Sequence, residues 1–442
     1  MSSANDRHAS STVPDQAPFR PTVPELAPSP PATPDGAPPS PAAPDRVSSR
    51  PGAPPPGCPP DKPLARLARR LHSYLDPPER APSNGGRLRA VDGLRLVAAL
   101  MVVTYHFVAS GAGSTQGAWE TSTTKAFPAA HHLAQYGYLG VEIFFAVSGF
   151  AICMSGWGRT MRQFTASRIS RLYPAYWLGV LVTTIVLTLS PTVIQPKSHQ
   201  AVLFNLTMFE RPLGVPEVSG VYWTLWSEMR FYLLFMVVLF FGATYLRVLL
   251  FCLAWTLLSI PAELSDSAVW DMVFEPSYSQ PFIMGVCLYL IHRFGSRPET
   301  WAVFGFSWLV EAHELARRSS WTSDSLGWHV SWLGSVTVFT VLLTVLVLSV
   351  IGPLARLDIP WLSTAGAMTY PLYVLHDEIG YTAIRAFHHD VPRWPLLIAL
   401  VAVLLAVSYA VARWVEKPVG RWLRRFLETA RLPLPARARN PM

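Results

Sequence analysis

LRAVDGLRLVAALMVVTYHFVAS, residues Leu88–Ser110, is an apolar run of membrane-spanning length with an arginine near its entrance and a histidine near its exit. Arg95 and His106 are eleven positions apart. On an α-helix that is close to three whole turns, so both side chains share one face, separated by ~16 Å along the axis. Ionisable groups inside a bilayer are costly and by default mark an interior functional surface, not a lipid-facing one. The stretch therefore predicts a polytopic membrane protein with a polar interior.

The rest of the chain agrees with that reading. Half of the 442 residues are hydrophobic and only 14% are charged, a membrane composition. Apolar runs recur near residues 90–110, 137–155, 172–190, 222–242, 245–262, 277–293, 299–315, 328–351, 367–386 and 394–415, which predicts an all-α protein of about ten transmembrane helices. The seventh run is the weakest, because Glu311, His313 and Glu314 interrupt it. With the N-terminus inside, Arg159, Arg162, Arg168, Arg171, Arg247, Arg293, Arg297, Arg356 and the basic tail at residues 426–442 all fall on the cytoplasmic side. Arg317 and Arg318 break the pattern. The expected location is the cell inner (cytoplasmic) membrane, with both termini cytoplasmic.

Residues 1–86 form a Pro- and Ala-rich arm whose composition predicts disorder, since it cannot bury enough apolar surface to offset chain entropy. Within it, Leu64, Leu67, Leu71 and Leu75 recur at helical spacing among Arg66, Arg69 and Arg70, which fits an interfacial helix on anionic lipid or an inert tether. No basic n-region with a short apolar core opens the chain, so no cleaved signal peptide is expected. The net charge of +8 sits beside apolar spans and in the tail, where topology and lipid headgroups account for it without nucleic acid. Cys58, Cys153, Cys252 and Cys287 lack metal-ligand spacing, so neither a disulfide framework nor a metal site is expected.

Several spans carry ionisable residues. Glu142 stands in the second span and needs a partner from another helix, or a proton. Ser148-Gly149 reads as a close-packing pair. Arg168 and Arg171 are one helical turn apart, which fits either a topology signal or a phosphate fork, guanidinium being a permanent bidentate donor. Glu228 and Arg230, two residues apart on one helix, point in nearly opposite directions and must each reach a different neighbour. His376, Asp377 and Glu378 follow one another in the ninth span, as at a wet surface or a span end.

Taken in order, RAVDGLRLVAALMVVTYHF, GYLGVEIFFAVSGFAI, FTASRISRLYPAYW, WTLWSEMRFYLL, YPLYVLH and WVEKPVGRWL resemble the bacterial integral-membrane acyltransferase 3 family, over about residues 87–425. The resemblance implies a ten-helix membrane domain that passes acyl groups from cytoplasmic acyl-CoA, acetyl-CoA foremost, to hydroxyls, usually on sugars. It implies no bound cofactor. By position, the family's Arg-x10-His element falls on Arg95 and His106, its Arg-x-x-Arg on Arg168 and Arg171, its Glu-x-Arg on Glu228 and Arg230, and its ninth-helix histidine on His376. Asp377-Glu378 stand where members more usually continue with apolar residues or Trp-Pro. His106 is then expected to act as catalytic base with Glu228 orienting it, while Arg95, Arg168, Arg171, Arg230 and His376 bind substrate. Expected partners are acyl-CoA, membrane lipid and a hydroxylated acceptor, either a glycosylated natural product such as a macrolide or a cell-envelope glycan. Buried Arg, Glu and His also suit a proton-coupled exporter, but no second copy of the Arg-x10-His span is visible to suggest repeated transporter halves.

Overall fold

The computed structural model describes residues 77–79, 88–110, 117–265 and 267–429. The expected helix at 64–75 and Cys58 lie outside these residues. The described chain is helical, without strands. Its long helices are α1 (Arg89–Thr104), α2 (Leu139–Gly156), α3 (Met161–Leu189), α4 (Trp223–Phe241), α5 (Tyr245–Leu264), α6 (Ser279–Phe294), α7 (Pro298–Leu326), α8 (Trp332–Val350), α9 (Trp361–Leu375), α10 (Asp377–Phe387), α11 (Arg393–Val411) and α12 (Lys417–Thr429). Among the described residues, seven helical segments are long and apolar enough to cross a membrane. The remaining three expected spans coincide with α6, α7 and the α9–α10 pair.

The core is built around α6, in which every residue except His292 and Arg293 is buried. It lies against α2 along a glycine seam. A Cβ on Gly149 would stand 2.1 Å from the Phe282 carbonyl oxygen, and one on Gly285 would stand 1.9 Å from that of Ala146. The two backbones touch, which is how membrane helices gain packing without a hydrophobic driving force between them. Phe145, Phe231 and Trp255 stack around Phe282 at the same level.

Three local departures from regular helix position the polar groups. First, α1 passes into a π-helical turn, Tyr105–Ser110, whose second residue is His106. Widened turns leave carbonyls without their usual partners. Here the Trp119 indole N–H donates to the Phe107 carbonyl (2.8 Å) and the Thr123 hydroxyl to that of Ala109 (2.6 Å). Second, the ninth expected span, residues 367–386, is broken at His376 into α9 and α10, and Asp377 and Glu378 occupy the first turn of α10, where the helix dipole favours carboxylates. Third, α11 runs through a π turn, Ala412–Glu416, into α12. That helix packs on the start of α3, with Gly420 against the Ser170 carbonyl and the Arg162 guanidinium donating to the Leu427 carbonyl.

The interrupted seventh run proves longer than the expected 299–315 segment. Its charges are paired: inside the bundle Arg318 pairs with Glu311 on its own helix and with Glu142 on α2 (3.3 Å), while the exposed Arg317 pairs with Glu263 on α5 and Glu314. Arg318 also donates to the Ser277 carbonyl. Glu142 thus has the interhelical partner its sequence context demands, and both exceptional arginines have carboxylate partners, Arg318 buried and Arg317 exposed.

Candidate active site

A cavity opens among α1, α2, α3, α4 and α9, lined mainly by aromatic and aliphatic side chains, with Arg95, Arg168, Arg171, Glu228 and Ser148 among its polar groups. Three of the four expected arginines therefore meet in one place, brought together from two helices. Arg171 is paired with Glu416, from the π turn after α11, and Arg95 lies 3.8 Å from Asp92. Arg168 packs over the rings of Phe164 and Tyr232 at 5.7 and 5.8 Å, and its buried Nε has no acceptor among the described residues. A cluster of guanidinium groups in a largely apolar recess is chemically able to hold an anion carrying several oxygens, since planar forked donors match phosphate.

Glu228 faces this cavity and not the histidines. The Ser148 hydroxyl donates to its Oε1 at 2.7 Å. The expected orientation of His106 by Glu228 thus has no counterpart among the contacts these residues make. Arg230, on the opposite side of α4 as its two-residue offset requires, pairs with Glu275 and donates to the Asp271 carbonyl, away from the cavity.

The histidines form a second cluster beside the first. His376 is fully buried, and its Nδ1–H donates to the Tyr373 carbonyl at 2.8 Å. A carbonyl only accepts, so in neutral His376 the other nitrogen, Nε2, carries a lone pair. That lone pair faces His106 Nδ1 at 3.1 Å, and Nδ1 also lies 2.9 Å from the Val102 carbonyl. Both neighbours are acceptors, so the His106 proton is on Nδ1 and its Nε2 is the basic nitrogen. Asp377 Oδ1, buried and without a hydrogen-bond donor among the described residues, lies 3.9 Å from that nitrogen. Glu378 beside it accepts from the Ser219 hydroxyl and the Gly220 N–H, both at 2.8 Å. The orienting groups of His106 are therefore Val102 and His376. Sequence reasoning had no means of finding the pairing of two histidines 270 positions apart.

Tyr373 touches both clusters. It lines the cavity, its hydroxyl donates to the Val221 carbonyl (3.1 Å), and its ring lies 5.7 Å from that of His376. Two groups of side chains among the described residues bring three metal-ligand atoms within 4.8 Å: His106 with His376 and Asp377, and, at the far end of α10, Glu120 with His388 and His389. In the first group Nε2 of His376 is engaged by the His106 N–H, an arrangement suited to proton transfer.

A family model described as an acyltransferase domain, acyltransferase 3, matches residues 88–413. The exopolysaccharide production protein ExoZ of Rhizobium meliloti is 34% identical over 115 residues, 24% of this chain and 35% of that protein. The peptidoglycan O-acetyltransferase OatA of Listeria monocytogenes is 25% identical over 164 residues, 33% of this chain and 23% of that protein. The chain thus spans about a third of the first relative and a quarter of the second. No solved structure matches.

Proposed function

Since this chain belongs to the acyltransferase 3 family, matched over residues 88–413, we propose that it is a membrane O-acyltransferase. It would move an acetyl or other short acyl group from acyl-CoA to a hydroxyl of a sugar-containing acceptor, a cell-envelope glycan or a glycosylated natural product. The observation that carries this reading is the adjacency of an arginine-lined cavity and a histidine with a free, oriented nitrogen, linked through Tyr373.

In this reading acyl-CoA approaches from the cytoplasmic side and its phosphates bind Arg95, Arg168 and Arg171. The pantetheine arm extends past Tyr373 and brings the thioester carbonyl to His106. The acceptor hydroxyl gives its proton to His106 Nε2 as its oxygen attacks that carbonyl. The imidazolium that forms is steadied by Asp377, 3.9 Å away. Collapse of the tetrahedral intermediate breaks the C–S bond, and the departing CoA sulfur takes the proton back, so the histidine ends as it began. General-base catalysis of this kind contributes ~10²- to 10⁴-fold. Ser219, Asp377, Glu378 and Tyr381 near the histidine offer a polar surface for sugar hydroxyls.

The relatives support a glycan acceptor through their names alone, exopolysaccharide production and peptidoglycan O-acetylation. The decisive experiment uses purified protein in vesicles with radiolabelled acetyl-CoA and acceptor glycans. His106→Ala is expected to abolish transfer while the protein still inserts and purifies as a folded species; full activity in that variant refutes the assignment. Comparing O-acylation of envelope glycans and secreted glycosides in cells with and without the gene separates the two acceptor classes.

A further inference from the structure

At the far end of α10 from His376, a second constellation joins two parts of the chain that are distant in sequence. His388 and His389 follow the last turn of α10, and Glu120 lies in the segment that follows the π turn carrying His106. Glu120 has a left-handed backbone (φ 52°), a conformation a non-glycine residue holds only when its surroundings fix it. Arg385 supplies part of that fixation, pairing with Glu120 Oε1 at 2.5 Å and donating to the Gly117 carbonyl at 3.0 Å.

The other carboxylate oxygen is the unusual one. His388 Nδ1 lies 3.1 Å from the Arg385 carbonyl and must donate to it, so in the neutral ring Nε2 carries a lone pair. That Nε2 is buried, has no hydrogen-bond partner among the described residues, and lies 3.3 Å from Glu120 Oε2. Nε2 of His389 lies 2.8 Å from the same oxygen. A ring lone pair and a carboxylate oxygen at this distance are reconciled by a proton or a metal ion between them, and the convergence of a second imidazole on the same oxygen favours the metal. Tetrahedral zinc, bonded to imidazole nitrogen and carboxylate oxygen at ~2.0–2.1 Å, separates its ligand atoms by ~3.3 Å, the spacing between His388 and Glu120. The ligand atoms of all three residues lie within 4.8 Å of one another, and the exposed His389 ring is free to adjust. Metal-bound histidines usually give their second N–H to a carbonyl or carboxylate, as His388 does here. The carbonyl end of α10 favours positive charge at this position as well.

We propose that Glu120, His388 and His389 form a binding site for a divalent transition-metal ion of the zinc class, with a fourth position left to water. The ion clamps the 117–120 segment to the end of α10. Trp119, within that segment, holds the Phe107 carbonyl of the π turn, so the clamp braces the backbone next to His106.

The test uses the full chain, purified without a histidine tag, stripped with chelator and reconstituted in nanodiscs, then titrated with Zn²⁺ alone by calorimetry and by competition with a chromophoric chelator. One equivalent per chain at micromolar affinity or tighter is expected, with a rise in unfolding temperature. His389→Ala, at a side chain 72% exposed and so harmless to folding, should weaken binding at least 10-fold, and Glu120→Gln more. A double variant, His131→Gln with His132→Gln, removes the other adjacent histidine pair and should bind as the parent does. Absence of a micromolar site in the folded parent, or a site indifferent to His389→Ala and Glu120→Gln, overturns the proposal and leaves an ordinary imidazolium–carboxylate contact.

Discussion

Nε2 of His376 accepts the Nδ1–H of His106, and this contact separates two contributions that a single knockout would merge. His376→Phe removes the acceptor but leaves the bond to Val102, so the imidazole keeps its tautomer and loses part of its orientation. We expect roughly a 10- to 100-fold fall in kcat, smaller than the ~10²- to 10⁴-fold a general base supplies, with KM for acetyl-CoA unchanged. A loss as deep as that of His106→Ala would instead make His376 a direct participant. Arg168→Ala should do the reverse, raising KM for acetyl-CoA about 10-fold or more, as loss of a charged hydrogen bond implies, with less effect on kcat. Outside the spans, Glu210 reports on the fold. Burial, against a backbone hydrogen bond and reinforced by Glu217, pushes its carboxyl from 4.5 up to about 7. A carboxyl that holds its proton longer in the folded state favours folding at low pH. The unfolded chain releases that proton first, so stability declines as pH rises from 4.5 to 7. Glu210→Gln should flatten the decline, measured as unfolding temperature across that window; an unaltered slope would place the titration elsewhere.

Helices tolerate few changes where their backbones touch. The methyl added by Gly285→Ala would meet the Ala146 carbonyl at 1.9 Å, which no side-chain adjustment relieves. Such overpacking costs ~1–3 kcal/mol or more, so the variant should unfold at lower temperature than Gly305→Ala, where a Cβ meets open space. Equal unfolding temperatures would mean that α2 and α6 separate easily. Elements are also the scale at which sequence was most informative. Hydropathy located every long helix but the polar α12, because length and apolarity are local properties. It ran through the break at His376, which only the ionisable run His376-Asp377-Glu378 signalled, as a wet surface or a span end; Pro371 lies within α9 and the helix ends five residues later. It could not reveal the π turn, whose freed carbonyls are satisfied by Trp119 and Thr123 from a separate segment. It undersized α7 because its charged residues read as an interruption, whereas Glu263, Glu311, Glu314 and Glu142 pair with its arginines.

Across the molecule, the polar residues visible in the sequence sort into two kinds that sequence alone does not distinguish. Arg95, Arg168, Arg171 and Glu228 converge on the cavity, and His106 and His376 on each other. Arg230, from the same motif as Glu228, serves a structural pair with Glu275. Their types and spacings were legible, but their partners were not, because each partner comes from another helix. Arg318 illustrates the energetic stake. Arg318→Met leaves Glu142 and Glu311 buried without their cation and should destabilise the fold by roughly 3–5 kcal/mol. Adding Glu142→Gln and Glu311→Gln should recover much of that loss. Failure of the triple variant to recover would show that the hydrogen bond to Ser277, not charge balance, is what Arg318 provides.

The pairing of Arg171 with Glu416 has a consequence for biosynthesis. Arg171 enters the membrane well before its carboxylate partner, which is made 245 residues later. Until then the arginine cluster lacks that counter-charge and must be held near lipid phosphates at the interface. The arginine-lined cavity is therefore completed only once Glu416 has been made and has folded back, and a chain cut short before it would expose an unfinished cationic site that a membrane protease could recognise.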